Sequence, residues 1–86
     1  SVEKVMLADW NGLSLSRCGI NTETADILSA LCADLIAVQN RHAERLETNL
    51  GLGTQGWAAV DAYGSSRIGA WPLYIGEQRF MLIIMG

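Results

Sequence analysis

Hydrophobic positions at the start of the chain follow the two-residue period of β-strands. Residues 2–9 alternate two sets that are both largely apolar, which is typical of a strand in the middle of a sheet. Residues 13–16 alternate leucine with serine, which indicates a half-exposed strand. Asn11 and Gly12 lie between these runs, and both tolerate positive φ. The pattern therefore predicts a β-hairpin closed by a type I′ turn.

A helical period replaces the strand period over residues 22–46. Asn21 or Thr22 is the expected N-cap. Apolar side chains recur every three or four residues, and this stripe predicts the core-facing side: Ile27, Leu28, Leu31, Leu35, Val38, His42 and Leu46. The glycines at 51 and 53 are expected to end the helix.

A second track of small residues lies beside this stripe, at Ala30, Ala33 and Ala37. Small side chains at that spacing allow another backbone, such as a second helix, to approach closely. The high helix propensity of alanine explains the same residues without any partner. The pattern alone leaves both interpretations open.

Three further strand-like runs complete the chain, at residues 57–63, 67–71 and 78–85. Pro72 cannot donate to a strand ladder and is expected to stop or bend the fourth strand. The fifth run is strongly apolar on both faces. The element order β-β-α-β-β-β, with one long helix, predicts a single α+β domain over residues 1–86.

Composition favours self-association and argues against two classes of partner. Of the 86 residues, 50% are hydrophobic and only 17% are charged, and so small a domain cannot bury that much apolar surface internally. The net charge of −3 and the scattered basic residues argue against nucleic-acid binding. No apolar run is long enough to insert across a membrane, and no signal peptide is recognisable.

Cysteine usage predicts a reducing compartment. Cys18 and Cys32 match no metal-ligand spacing and are expected to be small hydrophobic residues with free thiols, a disulfide being the alternative. We therefore expect a cytoplasmic protein.

No set of residues suggests catalysis, a cofactor or a metal. His42 is expected at the surface near a helix end, and Asp9 as a hydrogen-bond acceptor in the turn. The glycines at 51, 53 and 56 match GxGxxG, but they follow a helix and precede a strand, opposite to the order in a dinucleotide site. Trp10, at the tip of a turn, is the best candidate for a contact residue.

The order of elements and several local phrases resemble the roadblock (dynein light chain) family, which includes bacterial gliding-motility regulators. The matching phrases are the hairpin over residues 5–15, the helix from Asp26 to its exit at 50–53, and the closing hairpin at 71–75 and 77–84. The resemblance extends over nearly the whole chain, although each matching phrase is a general pattern of residue types without invariant chemistry. The family commonly has a further helix at each end, which residues 1–86 do not include.

The resemblance implies a five-stranded antiparallel sheet of order 2-1-5-4-3, with the long helix on one face and Pro72 at the end of the fourth strand. It also implies a homodimer formed through the third strands and the long helices. The residues implied at this dimer interface are Ala30, Ala33, Ala37, Trp57, Ala59 and Asp61.

The function implied by the resemblance is a non-enzymatic dimeric module that binds a small Ras-like GTPase or anchors it in a larger assembly. Candidate partner contacts are Trp10, Arg41 and Arg45. One alternative is an adaptor subunit with no GTPase partner. Another is a small-ligand sensor of profilin- or PAS-like layout, with Trp71, Tyr74 and Phe80 around a pocket between sheet and helix.

Overall fold

The computed structural model describes residues 4–53, 56–60, 63–64 and 67–86, and these form one sheet with two helices. The elements in chain order are β1 (Lys4–Asp9), β2 (Ser14–Cys18), α1 (Thr22–Arg41), α2 (Ala43–Leu50), β3 (Trp57–Val60), β4 (Arg67–Ile75) and β5 (Gln78–Met85). The five strands are antiparallel throughout, in the order β2-β1-β5-β4-β3. The predicted α+β class and sheet order are confirmed.

One face of the sheet and one face of α1 form the core. Alternate residues of β1 and β5 point to that side, and Met6 pairs with Ile83 while Ala8 pairs with Met81. Ala70 of β4 continues the same row. The buried apolar residues are Met6, Ala8, Ile20, Ala25, Leu28, Cys32, Ile36, Ala70, Met81 and Ile83. As predicted, β1 and β5 lie inside the sheet.

The predicted core stripe of the helix was wrong in its orientation. Ile27, Leu31 and Val38 are exposed, whereas the small residues Ala25 and Ser29 are buried together with Leu28, Cys32 and Ile36. Within this buried set, the hydroxyl of Ser29 donates to the carbonyl of Ala25 at 2.7 Å. Leu28 and Ile36 therefore face the core beside small residues, whereas Ile27, Leu31 and Val38 face solvent.

The single helix predicted over residues 22–46 is two helices divided at His42. His42 has φ −107° and ψ 10°, and its N–H donates to the carbonyl of Val38. Asn40, Arg41 and His42 are all exposed, and asparagine and histidine have only modest helix propensity, so little favours an uninterrupted helix at this point. The ends were predicted better: Asn21 accepts from the N–H of Thr24, and Gly51 caps α2 at φ 68°.

The β1–β2 turn differs from the predicted type I′ geometry. Gly12 has φ 90°, but no described residue other than glycine has positive φ, so Asn11 does not supply the second position. The N–H of Gly12 donates to the carbonyl of Asp9, and the N–H of Asp9 donates to that of Leu13. The connection is a three-residue loop, Trp10 to Gly12, in which only the last residue needs the left-handed region.

Pro72 does not end β4, contrary to prediction. The strand continues to Ile75, and Pro72 pairs with Met81 of β5. The first residue of β3, Trp57, pairs with Ala70 of β4. Pro72 therefore lies beyond the part of β4 that pairs with β3. A missing N–H is tolerated there, as at the edge of a sheet.

Candidate functional site

The β3 strand forms one edge of the sheet, and its outer side presents apolar residues and backbone groups that pair with no other described strand. Its residues Trp57, Ala58, Ala59 and Val60 carry no charge, and Val60 is 59% exposed. Flat apolar edges are templates for pairing with another strand. Asp61, the remaining expected edge residue, lies outside the described residues.

Trp57 is placed differently from the other expected edge residues. It is half-buried, and its indole packs against the core rather than standing on the free edge. Its Nε1 is buried, and none of the residues that the structure describes accepts a hydrogen bond from it. Trp57 therefore contributes its backbone to the edge, whereas Ala59 is exposed.

The opposite edge, formed by β2, is protected. The pairing register between β1 and β2 shifts between Leu7 and Ala8, where a β-bulge interrupts the ladder. The strand also carries Arg17, whose side chain donates to the carbonyl of Ile20 and the hydroxyl of Thr22. Bulges and charged side chains are common protections of sheet edges against pairing. The two edges are thus unequal.

The outer face of α1 carries exposed apolar residues. Ile27 is 61% exposed, and Leu31 and Val38 are each 43% exposed. The small residues Ala30 and Ala37 are exposed beside them. Exposed side chains in line along a helix are typical of a surface that packs on another helix.

The third small residue, Ala33, has an internal neighbour. A Cβ placed on Gly12 would lie 3.4 Å from the Cα of Ala30 and 3.6 Å from the Cβ of Ala33, so the β1–β2 loop packs directly on α1. Ala33 is half-buried as a result. The small-residue track therefore serves the fold at Ala30 and Ala33, where the loop packs on the helix, although Ala30 and Ala37 remain exposed.

An aromatic and cationic cluster lies at the end of the sheet where the β1–β2 and β4–β5 loops meet. Trp10 is half-buried, and its Nε1–H donates to the carbonyl of Phe80 at 3.1 Å. The ring of Tyr74 lies 6.2 Å from that of Trp10, centroid to centroid, at 52°. The guanidinium carbon of Arg79 stands 4.4 Å from the centroid of the Trp10 ring. We call Trp10, Tyr74 and Arg79 the Trp10 cluster.

The other two expected partner contacts, Arg41 and Arg45, are exposed at the end of α1 and on α2. Sequence reasoning missed Tyr74 and Arg79 as neighbours of Trp10. The one local signal is that both flank the short turn at Gly76 and Glu77, which places them opposite each other across β4 and β5.

The three residues expected to surround a ligand pocket do not converge. Side chains alternate along β4 and β5, so Tyr74 projects from the face that carries α1, whereas Trp71 and Phe80 project from the other. On that other face Trp71 lies over Gly69, where an added Cβ would fall 2.6 Å from the indole. The open groove beside it, of about 270 Å³, is lined mainly by apolar residues such as Val60 and Ile84.

Groups that carry chemistry are few. Within residues 4–53, 56–60, 63–64 and 67–86, no three His, Cys, Asp or Glu side chains lie together as a metal site. Cys18 and Cys32 are both free, and burial raises the pKa of the Cys32 thiol to about 11. No helix in the same ranges has the length and apolar character needed to span a bilayer.

The sheet order and the helix packed on one face define the Roadblock/LC7 fold. Three solved structures share it with this chain. A Roadblock/LC7 domain from Streptomyces avermitilis superposes with a TM-score of 0.75 at 18% identity, covering 99% of this chain and 65% of that one. Myxococcus xanthus MglB gives 0.69 at 20% identity, covering 98% and 63%.

The gliding protein MglB from Thermus thermophilus gives a TM-score of 0.64 at 20% identity, covering 98% of this chain and 59% of that one. The chain thus spans about three fifths of the length of these structures. No family model matches the sequence, and no curated protein matches it. The likeness is therefore one of fold, and the expected resemblance to roadblock proteins is confirmed at that level.

Proposed function

We propose that this chain is a non-enzymatic dimeric module that binds a small Ras-like GTPase or anchors it in a larger assembly. The observation that carries the proposal is the Roadblock/LC7 fold with β3 left as an unprotected apolar edge. The roadblock resemblance implies dimers in which third strands pair and long helices pack together. The exposed residues of β3 and the outer face of α1 are suited to those two contacts.

Dimerisation through these surfaces would cover apolar area that the monomer leaves in water. Val60 on β3 and Ile27 on α1 are each exposed by about three fifths, at 59% and 61%. Each square ångström of apolar surface removed from water contributes roughly 25 cal/mol. Stable dimers commonly bury on the order of 800 Å² per subunit.

The GTPase part of the proposal follows from the family resemblance, and its mechanism is a difference in affinity. A regulator shifts its partner between nucleotide states only if it binds one state more tightly than the other. No described constellation supplies nucleotide chemistry, so this difference in binding is the means of regulation that we propose. Cytoplasmic location belongs to the same proposal, since small GTPases and reduced thiols share that compartment.

The test is calorimetric binding of the chain to the small Ras-like GTPase encoded nearest to its gene, loaded with GDP or with a non-hydrolysable GTP analogue. We expect affinities that differ by at least about tenfold between the two states, which is roughly 1.4 kcal/mol. Equal affinities would indicate a scaffold without regulation. The absence of binding to either form would leave an adaptor subunit as the function.

A further inference from the structure

We infer that the Trp10 cluster is a docking site for an acidic segment of a partner protein, with Arg79 receiving a carboxylate and the two aromatic rings receiving neighbouring apolar side chains. This goes beyond the proposed function, because it concerns the chemistry of one surface and holds whether or not the partner is a GTPase.

The Trp10 side chain, on which the cluster is built, is held in place by its surroundings. Trp10 packs against the hydrophobic core, and its Nε1–H is fixed by the bond to the carbonyl of Phe80. Tyr74 and Arg79 are directly opposite each other across β4 and β5. Trp10 belongs to the β1–β2 loop, but its bond to Phe80 and its packing on the core anchor it beside the two strand residues. Little ordering therefore remains to be done when a partner binds.

Arg79 is placed to accept an anion. Its guanidinium carbon lies 4.4 Å from the centroid of the Trp10 ring, and this cation–π contact holds the cation beside the indole. No carboxylate of residues 4–53, 56–60, 63–64 or 67–86 lies within 4.0 Å of this group as an ion pair. A guanidinium held in this way pairs with carboxylates in a two-pronged geometry that lysine cannot reproduce.

The carboxylate at the end of β1, next to Trp10 in the chain, is already engaged. Asp9 Oδ1 accepts hydrogen bonds from the N–H groups of Asn11 and Leu13, each at 2.9 Å. Asp9 pairs with Phe80, which places its side chain on the opposite face of the sheet from Arg79. The Asp9 carboxylate therefore closes the turn and does not pair with Arg79.

The surroundings favour a protein segment over a polyanion. Tyr74 is 61% exposed, so most of its side chain is available for contact with a partner. Arg79 is the single cation of the cluster in a chain of net charge −3, whereas nucleic acids require several basic residues on one face. Tryptophan, tyrosine and arginine are also the residue types that dominate protein interfaces energetically.

The experiment titrates the chain with a short blocked peptide in which aspartate alternates with leucine, and with the same peptide carrying asparagine in place of each aspartate. The indole N–H signal of Trp10, assigned by its loss in Trp10→Phe, reports binding by NMR. We expect a saturable shift with the aspartate peptide, weakened by salt, and at least about tenfold weaker binding of the asparagine peptide.

Matched variants identify the group responsible. Arg79→Gln should abolish the difference between the two peptides, and Arg79→Lys should weaken aspartate-peptide binding about tenfold while keeping the charge. Arg67→Gln makes the same charge change at the far end of the sheet, on an exposed residue, and should leave binding unchanged. The unshifted indole signal of Trp57 confirms that each variant is folded.

The inference would be overturned by equal binding of the two peptides, by equal losses in Arg67→Gln and Arg79→Gln, or by the lack of a saturable shift with either peptide. An equal shift with inorganic phosphate would also overturn it, since the site would then bind small anions without regard to the acidic segment.

Discussion

Single side chains show where sequence reasoning succeeds in this protein and where it fails. The turn role of Asp9 and the cap role of Asn21 were predictable, because each bonds to backbone within four residues of itself. The neighbours of Trp10 were not predictable, because Tyr74 and Arg79 reach it only through the pairing of β1 with β5 and of β5 with β4. Local chemistry is readable from local sequence, whereas a site assembled across strands requires the register.

The two cysteines should differ in reactivity. Cys18 is exposed on β2, whereas Cys32 is buried under the sheet and its pKa is raised to about 11. In a thiol-reagent assay at mildly alkaline pH, we expect one fast thiol, lost in Cys18→Ala, and a second that reacts only on unfolding. Two fast thiols in the native chain would contradict the burial of Cys32.

The raised pKa also predicts how stability depends on pH. The folded state favours the neutral Cys32 thiol, so its contribution is complete below the ordinary value of 9.0 and is lost as the pH rises towards about 11. The free energy of unfolding should therefore fall less over this pH interval in Cys32→Ala than in Cys18→Ala. Urea unfolding at several pH values measures the difference, and parallel curves would show that Cys32 does not titrate as described.

At the scale of elements, the hairpins, the sheet order and the long helix were predictable, but the orientation of α1 was not. The apolar stripe of Ile27, Leu31 and Val38 satisfied the helical period as well as the buried set did. The buried face combines Leu28 and Ile36 with the small residues Ala25 and Ser29, which a search for large apolar residues passes over. The hydrophobic pattern alone therefore does not decide between the two faces.

The contact between the β1–β2 loop and α1 should be sensitive to one methyl group. Gly12 has φ 90°, and an added Cβ would meet Ala30 Cα at 3.4 Å, so Gly12→Ala should lower the free energy of unfolding by about 1–2 kcal/mol or more. Gly53→Ala is the matched control, because nothing lies within 4 Å of its added Cβ and its φ is not positive. Urea unfolding compares them, and equal effects would contradict the close loop–helix contact.

At the scale of the whole molecule, the apolar composition is explained by surfaces rather than by a large core. Among the residues that the structure describes, exposed large hydrophobic residues outnumber buried ones, and many of them lie on the outside of α1, on β3 and near the two hairpin loops. Composition predicted association in general. The particular surfaces emerged only from the fold, because exposure depends on which face each element turns outward.

The dimer that we propose should depend on the β3 edge. The chain should elute in light-scattering chromatography with a mass near twice 9.3 kDa. Ala59→Lys places a charge on the exposed edge and should shift the mass towards the monomer, since lysine on an edge strand disfavours pairing. Ser16→Lys, on the exposed β2 edge, should remain dimeric. A monomer at every concentration would remove this mode of assembly.

The inequality of the two sheet edges has a consequence for how far association can proceed. Two copies joined through β3 leave only β2 strands at the ends of the combined sheet, and each of those pairs with β1 across the bulge between Leu7 and Ala8. Pairing of two identical edges about a twofold axis closes the assembly. Pairing between two different edges would instead continue from chain to chain and form fibres. In the dimer that we propose, a chain with one pairing edge and one irregular edge would therefore stop at two subunits, and its exposed strand would favour dimers without promoting aggregation.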